Sequence, residues 1–262
     1  MNSHAEISNL LRSRSVLVAC IQETKLTDTS NLQPFQNYTT VRRDRPGPSG
    51  GGGLITLVHQ SIEFTEPDLD HLFPDTITEH ISIRATINNT PLYIHNIYIP
   101  PTSSCPPGFT PSLDLLFAPQ EDTLILGDFN AHSPAWFSQT SDARAAARGE
   151  LIEESLSLRD LVILNTDTPT RLPAHGNPTS PDISISTPEI ATDFDWTTLT
   201  SLKSDHLPIL LHLGGDFSSE SPQVPRISYT NLKKADWTSF ARATEGEFAR
   251  LGPPSSAGAG ET

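Results

Sequence analysis

The chain has little of what pins a small fold or marks a destination. Its 262 residues include two cysteines, Cys20 and Cys105, which stand far apart with no CxxC pair. That indicates neither a zinc knuckle nor a disulfide framework, and a reducing compartment is the default. Long apolar runs are missing as well. No stretch approaches the roughly 18 residues of a membrane span, and Met1 to Ser15 lack the apolar run of a signal peptide. The expected location is therefore intracellular, nuclear or cytoplasmic, with no membrane partner. Basic residues are scarce: 17 Lys and Arg stand against 31 Asp and Glu, for a formal charge of −14. This balance disfavours a protein that holds nucleic acid by bulk positive charge. It leaves open a group of carboxylates around a divalent cation, which counts as negative in the sum yet builds a neutral or positive site once metal is bound.

What is present suits a packed domain. Hydrophobic residues make up 35% of the chain, enough for a core, and 23 prolines favour turns over a helical bundle. Short apolar runs punctuated by Pro, Gly, Ser and Asn predict strands over Val16 to Ile21, Leu54 to Val58, His80 to Ile87, Leu92 to Tyr98, Thr123 to Leu126, Leu161 to Leu164, Asp182 to Ile185 and Leu207 to Leu213. The run Asp142 to Arg159 predicts a helix whose apolar face carries Ala147, Leu151 and Leu158, widened by Ile152 and Leu156. Glu6 to Arg12 and Leu113 to Phe117 are weaker helical segments. Composition changes after Leu213, where Gly214 to Pro225 reads as a linker. Beyond it, Thr230 to Leu251 predicts one helix carrying Leu232, Trp237, Phe240 and Phe248. The expected organisation is a folded domain over 1–213 and a linker and tail over 214–262.

Four short pieces lie at strand ends: Gln22-Glu23-Thr24, Tyr98-Ile99-Pro100, Gly127-Asp128-Phe129-Asn130-Ala131-His132, and Ser204-Asp205-His206 leading into the last strand. Strand ends are where polar residues converge on a shared cleft in α/β architectures. Taken singly, Glu23 is a solvated carboxylate and Asp205 a turn residue before Pro208. Together, these residues supply hard oxygen ligands and an imidazole, the set that a divalent cation and general-base chemistry require.

On these motifs the chain resembles the endonuclease/exonuclease/phosphatase family, and within it the apurinic-endonuclease-like domain of non-LTR retrotransposon polyproteins. The resemblance rests on Gln22-Glu23-Thr24-Lys25-Leu26, the Gly50 to Gly53 entry to Leu54, Tyr98-Ile99-Pro100, Asp128-Phe129-Asn130-Ala131-His132, Pro181-Asp182-Ile183 and Ser204-Asp205-His206-Leu207-Pro208-Ile209. It implies a four-layer α/β/β/α sandwich of the DNase I type, here without the usual N-terminal strand and its Asn-bearing motif. The chain is expected to be truncated at that end, and Lys234 to Phe240 resembles the bridge towards a reverse transcriptase. By position, Glu23 and Asp205 match metal-side carboxylates for Mg2+, or Mn2+ in its place. Asp128 matches the group that holds or deprotonates the attacking water, Asn130 the amide beside it, His206 the imidazole at the phosphate, Asp182 its orienting carboxylate, and Tyr98 the phenol at the phosphate. The implied activity is nicking of target DNA for integration, with DNA as partner and no small-molecule cofactor. Alternatives are a phosphomonoesterase or phospholipase of the same superfamily, or an inactive retroelement fragment.

Other residues have plainer readings. His132 caps or packs after Asn130, Trp136 is a packing anchor unless it stacks on a base, and Gly50 to Gly53, with no Lys-Ser/Thr pair, is a turn before a strand. Arg42, Arg43 and Arg45 form the dense basic patch, read as a solvated loop unless they meet a DNA backbone.

Overall fold

A computed structural model of the chain describes residues 3–45, 51–113, 121–200 and 202–214, together with residues 238, 239, 241, 242 and 244. Its elements run α1 (Ser3–Ser13), β1 (Val18–Ile21), β2 (Tyr38–Arg43), β3 (Leu54–His59), β4 (Glu63–Thr65), β5 (Glu79–Ile87), β6 (Thr90–Tyr98), β7 (Thr123–Asp128), α2 (Ala143–Ser157), β8 (Val162–Ile163), β9 (Asp182–Ser186), α3 (Pro188–Ala191), β10 (Phe194–Thr198) and β11 (Ile209–Leu213). The chain divides into two compact units, Met1–Asp216 and Phe217–Thr262. No helix among the described residues is long and apolar enough to cross a membrane.

The strands form a three-stranded sheet in the order β1-β3-β2, a six-stranded sheet in the order β4-β5-β6-β7-β9-β8, and a β10-β11 hairpin. The period-two alternation of side chains sorts the apolar residues into layers. On β3, Leu54 and Val58 point to the cluster shared with Ile81, Ile83, Ile94 and Leu124 of the larger sheet, while Ile55 and Leu57 point the other way, to Leu11 and Ile7 of α1. The opposite face of the larger sheet packs Ile97, Ile125, Ile183 and Ile185 against Ile152 and Leu156 of α2. The result is α1, sheet, sheet, α2: the expected four layers. Phe194 and Leu211 of the hairpin join the inter-sheet cluster, and Trp196 donates its indole N–H to Ser184 Oγ at 3.2 Å. Among the described residues no strand precedes β1, and β1 and β11 are both edge strands.

One buried polar side chain bolts the sheets together. Asn96 of β6 is fully buried, donates to the Ile55 carbonyl at 3.0 Å and to Thr56 Oγ1 at 3.2 Å, and accepts from Gln22 Nε2 at 2.7 Å. With its partners in place it adds specificity to an otherwise apolar interface; unpaired, it would cost about 1–3 kcal/mol.

Several expectations need correcting. The first and last predicted strands begin two residues later than expected, and Leu161 to Leu164 contributes only Val162–Ile163. Strands β2, β4 and β10 were not anticipated, because mixtures such as Tyr-Thr-Thr-Val-Arg-Arg lack a clean apolar run. In α2 the buried face carries Ala145, Arg148, Gly149, Ile152, Ser155 and Leu156, whereas Ala147 is exposed and Leu158, past the end of the helix, is 67% exposed. A hundred-degree step per residue puts Ala147 and Ile152 on different sides, so the apolar spacing chosen from the sequence followed the wrong stripe. Leu113 lies in no helix, and 114–117 fall outside the described residues. Leu232, Trp237, Phe240 and Phe248 also lie outside them, while Thr238, Ser239, Ala241, Arg242 and Thr244 are helical.

Candidate active site

Three central strands of the larger sheet place the chemistry in one row. Tyr98 of β6 is opposite Asp128 of β7 in parallel register, and Asp128 is opposite Asp182 of β9 in antiparallel register. Residues opposite one another in a sheet share a face, so all three side chains stand on one side. His206, just before β11, completes the group. Its Nδ1 lies 3.0 Å from Asp182 Oδ1 and 2.9 Å from Oδ2, and a ligating atom from each of Asp128, Asp182 and His206 falls within 4.8 Å of the others.

Supporting bonds hold each member. Thr170, fully buried, donates its hydroxyl to Asp182 Oδ2 at 2.6 Å. Its backbone ties the segment to Thr179 and accepts from the Leu207 N–H at 2.6 Å, which brings the His206 turn beside β9. Asn130 adopts φ +45°, in the left-handed region. There its N–H donates to Asp128 Oδ1 at 2.9 Å and its Nδ2 donates to Asp128 Oδ2 at 3.1 Å and to the Ile99 carbonyl at 3.0 Å.

Electrostatics follow from burial and like charge. Burial and the neighbouring Asp182 push the Asp128 carboxyl well above the usual carboxylate range, and Glu23 adds to the same pressure. Burial alone would depress His206, but the hydrogen bond and charge of Asp182 outweigh it and raise the imidazole to about 9. The Tyr98 phenol, raised by burial and by its bond to Glu23, stays protonated.

Glu23 stands at the rim after β1. It accepts from the Tyr98 hydroxyl and faces Lys25 Nζ at 3.5 Å. Its backbone is unusual, with φ +51°, and the next two amides, Thr24 and Lys25, donate to the Gly53 and Gly52 carbonyls at 3.1 and 2.8 Å. Gly53, at φ +87°, donates its own N–H to Glu79 Oε2 at 2.6 Å, and a Cβ there would lie 2.6 Å from Thr24 Oγ1. The glycines are thus a turn that clasps the Gln22-Glu23-Thr24 segment, in keeping with the turn reading. Asp205 is not brought into the group. Its exposed carboxylate pairs with Arg171 Nε at 2.7 Å; burial would raise its pKa, but the hydrogen bond and charge of Arg171 hold it below the usual carboxylate range.

Outside this group, Trp136 is completely buried and is a packing anchor. His132 Nδ1 pairs with Ser138 Oγ at 2.8 Å. Arg42 and Arg43 lie on β2 rather than in a loop, and each arginine of the basic patch is paired: Arg42 with Asp44, Arg43 with Asp70, and Arg45 with Glu79.

Comparison with known proteins agrees with this fold. Residues 92–210 match the family model described as endonuclease-reverse transcriptase, a stretch that runs from β6 to β11. A probable RNA-directed DNA polymerase from transposon X-element of Drosophila melanogaster is 26% identical over 243 residues, covering 87% of this chain and 24% of that protein. The chain spans about a quarter of the length of the curated relatives it matches. Among solved structures, the endonuclease domain of TRAS1, a telomere-specific non-LTR retrotransposon, aligns with a TM-score of 0.61 at 19% identity, covering 81% of this chain and 92% of that one. An AP endonuclease from Archaeoglobus fulgidus aligns with a TM-score of 0.54 at 16% identity, covering 80% and 93%. Over residues 92–210 the chain is similar to the endonuclease-reverse transcriptase family, and it shares the fold of these endonuclease domains.

Within this domain, several residues around the site went unnoticed in the sequence: Thr170, Arg171, Glu79, Asn96 and Arg148, while Arg45 was read only as part of the basic patch. For most of them no local signal exists, because their roles arise from segments distant in the chain. Arg148 is the exception. It falls four residues before Ile152 on the core-facing stripe of α2, and a charged residue on an apolar face is a readable anomaly.

Proposed function

We propose that this domain is an endonuclease that hydrolyses DNA phosphodiester bonds with the help of Mg2+, or Mn2+ in its place, nicking target DNA for retrotransposon integration. The observation that carries the reading is the Asp128, Asp182 and His206 group at one rim of the sandwich, with Glu23 and Tyr98 beside it. The donor set fits a hard cation. Asp128 and Asp182 have no Lys or Arg ion-pair partner among the described residues, and burial together with their mutual repulsion raises Asp128. Glu23 would hold the cation, and Asp205 would join it only by releasing Arg171. When bound, the cation supplies charge to a developing phosphorane.

The chain's own residues do the rest. Asp128, with its raised basicity, holds the attacking water and takes its proton. Asn130 uses both amide hydrogens to orient Asp128 and the Ile99 carbonyl, which leaves its Oδ1 to accept from that water. His206, protonated across neutral pH and fixed through Nδ1 by Asp182, offers its other nitrogen to a phosphate oxygen. Tyr98 orients Glu23 through its hydroxyl.

Plasmid nicking tests this reading. The parent should convert supercoiled DNA to open circles in Mg2+, EDTA should stop the reaction, and Glu23→Ala should weaken it. His206→Ala should lose about 10²–10⁴-fold in rate. Equal rates for His206→Ala and the parent would overturn the site, and turnover of inositol phosphates or phospholipids with DNA untouched would replace nuclease by another phosphoesterase of the family.

A further inference from the structure

Arg148 is a buried cation that the reaction above leaves unused. It is 5% exposed on the core face of α2, and no carboxylate pairs with it among the described residues. Its Nη1 instead donates to three backbone carbonyls: Pro100 at 3.0 Å, Phe129 at 2.9 Å and Asn130 at 3.1 Å. Its Nη2 lies 3.8 Å from Cys105 Sγ. A buried charge without an ion-pair partner is costly, so the bonds it makes must offset much of its desolvation.

Those carbonyls belong to two segments. Pro100 follows Tyr98 out of β6, while Phe129 and Asn130 follow Asp128 out of β7. One guanidinium therefore ties together the exits of the two parallel strands that carry the site through Nη1 while Nη2 turns to Cys105, a two-nitrogen fork that a single ammonium cannot make. The helix backbone makes this reach possible. A Cβ at Gly149 would come 1.9 Å from the His132 carbonyl oxygen, and His132 N–H donates to the Ala145 carbonyl at 3.2 Å, so α2 touches the 130–132 segment backbone to backbone. Asn130 sits at φ +45°, a conformation that persists only where its surroundings impose it. Bonds to its own carbonyl and to the preceding one supply that constraint.

We infer that Arg148 is a positioning residue that fixes the Asp128-Phe129-Asn130 turn, and through it the Asp128 carboxylate and the Asn130 amide that hold the attacking water. The catalytic half of this inference rests on the nuclease reading; the geometric half does not.

The test compares the full chain with Arg148→Lys, which keeps the charge and loses the fork, by melting temperature, nicking kinetics and amide hydrogen exchange over residues 128–132. The variant should melt within a few degrees of the parent, lose roughly 10–100-fold in kcat with KM little changed, and exchange faster over that turn. In the Asn130→Ala background, Arg148→Lys should cost less than it does alone, because both act through one turn. A merely structural role would leave the two losses independent. Parental kcat together with parental exchange overturns the inference. Should the parent not nick DNA at all, the nuclease reading fails, and exchange alone decides: faster exchange supports the positioning role and parental exchange removes it. If Arg148→Lys does not fold, the same measurements on Arg148→Gln decide.

Discussion

His80 and His95 are imidazoles that burial keeps neutral. Burial lowers His80 to about 4, with Arg43 adding to the effect and Asp70 and Asp75 opposing it. His80 stacks on Phe73 with ring centroids 3.5 Å apart, and its Nε2 lies 3.2 Å from Arg43 Nη1 and 3.1 Å from Asp70 Oδ1. Burial lowers His95 to about 3, with His80 adding to the effect, and His95 pairs with Ser82 Oγ at 2.8 Å. In the unfolded chain both titrate near 6.5. As pH falls below that value the unfolded state binds protons that the folded state refuses, so stability drops with acidification until each folded value is passed. His206 has the opposite sign: its contribution is complete below about 6.5 and disappears as pH rises through about 9. Urea unfolding at pH 7 and pH 5 should therefore show a loss in the parent that is smaller in His80→Gln by about 1–2 kcal/mol. Identical losses in the two proteins would show that His80 is not held neutral by the fold.

At the scale of elements, α2 is defined by its ends and by one close approach. Asp142 is its N-cap, accepting from the amides of Arg144 at 2.9 Å and Ala145 at 3.3 Å through Oδ1, while its other oxygen accepts from the Thr102 hydroxyl. These bonds satisfy amides that the first helical turn leaves free and anchor the helix to the loop that follows β6. Asp142→Ala should cost about 1 kcal/mol or somewhat more, whereas Ala147→Ser on the exposed side should stay within about 0.5 kcal/mol. Gly149→Ala should cost about 1–3 kcal/mol, since its new methyl group would overlap the His132 carbonyl. Thermal or urea unfolding of the three variants checks the order, and a neutral Gly149→Ala would mean that helix and turn can separate freely.

Over the whole molecule, the three core clusters draw their members from Ile7 at one end to Leu211 at the other, all within the unit Met1–Asp216. Each fully buried Leu or Ile among them is worth about 1.5–3 kcal/mol. The unit therefore holds its own hydrophobic driving force. A chain ending at Asp216 should fold cooperatively and melt within about 4 °C of the full chain, by circular dichroism. A broad or strongly lowered transition would show that Phe217–Thr262 contributes to the stability of the first unit.

The sequence by itself determined the class of the fold and pointed to residues that the structure brings together. Apolar runs bounded by turn residues marked the central strands, because a buried strand needs continuous apolar side chains whatever its neighbours. Asp128, His206 and Tyr98 were legible because each belongs to a polar motif at the end of such a strand, and Asp182 through the resemblance those motifs carry; the structure sets Tyr98, Asp128 and Asp182 across adjacent strands. What the tertiary structure alone decided depends on partners distant in the chain. The mixed polar strand β2 is a strand because β3 supplies its hydrogen bonds, from Tyr38 opposite His59 to Arg43 opposite Leu54. Asp205 is spent on Arg171, Asn96 becomes the bolt between two sheets, and Arg148 meets three carbonyls from two strand exits. Local spacing records which face a side chain occupies; it does not record which backbone waits there, and for buried polar groups that partner decides both the energy and the role.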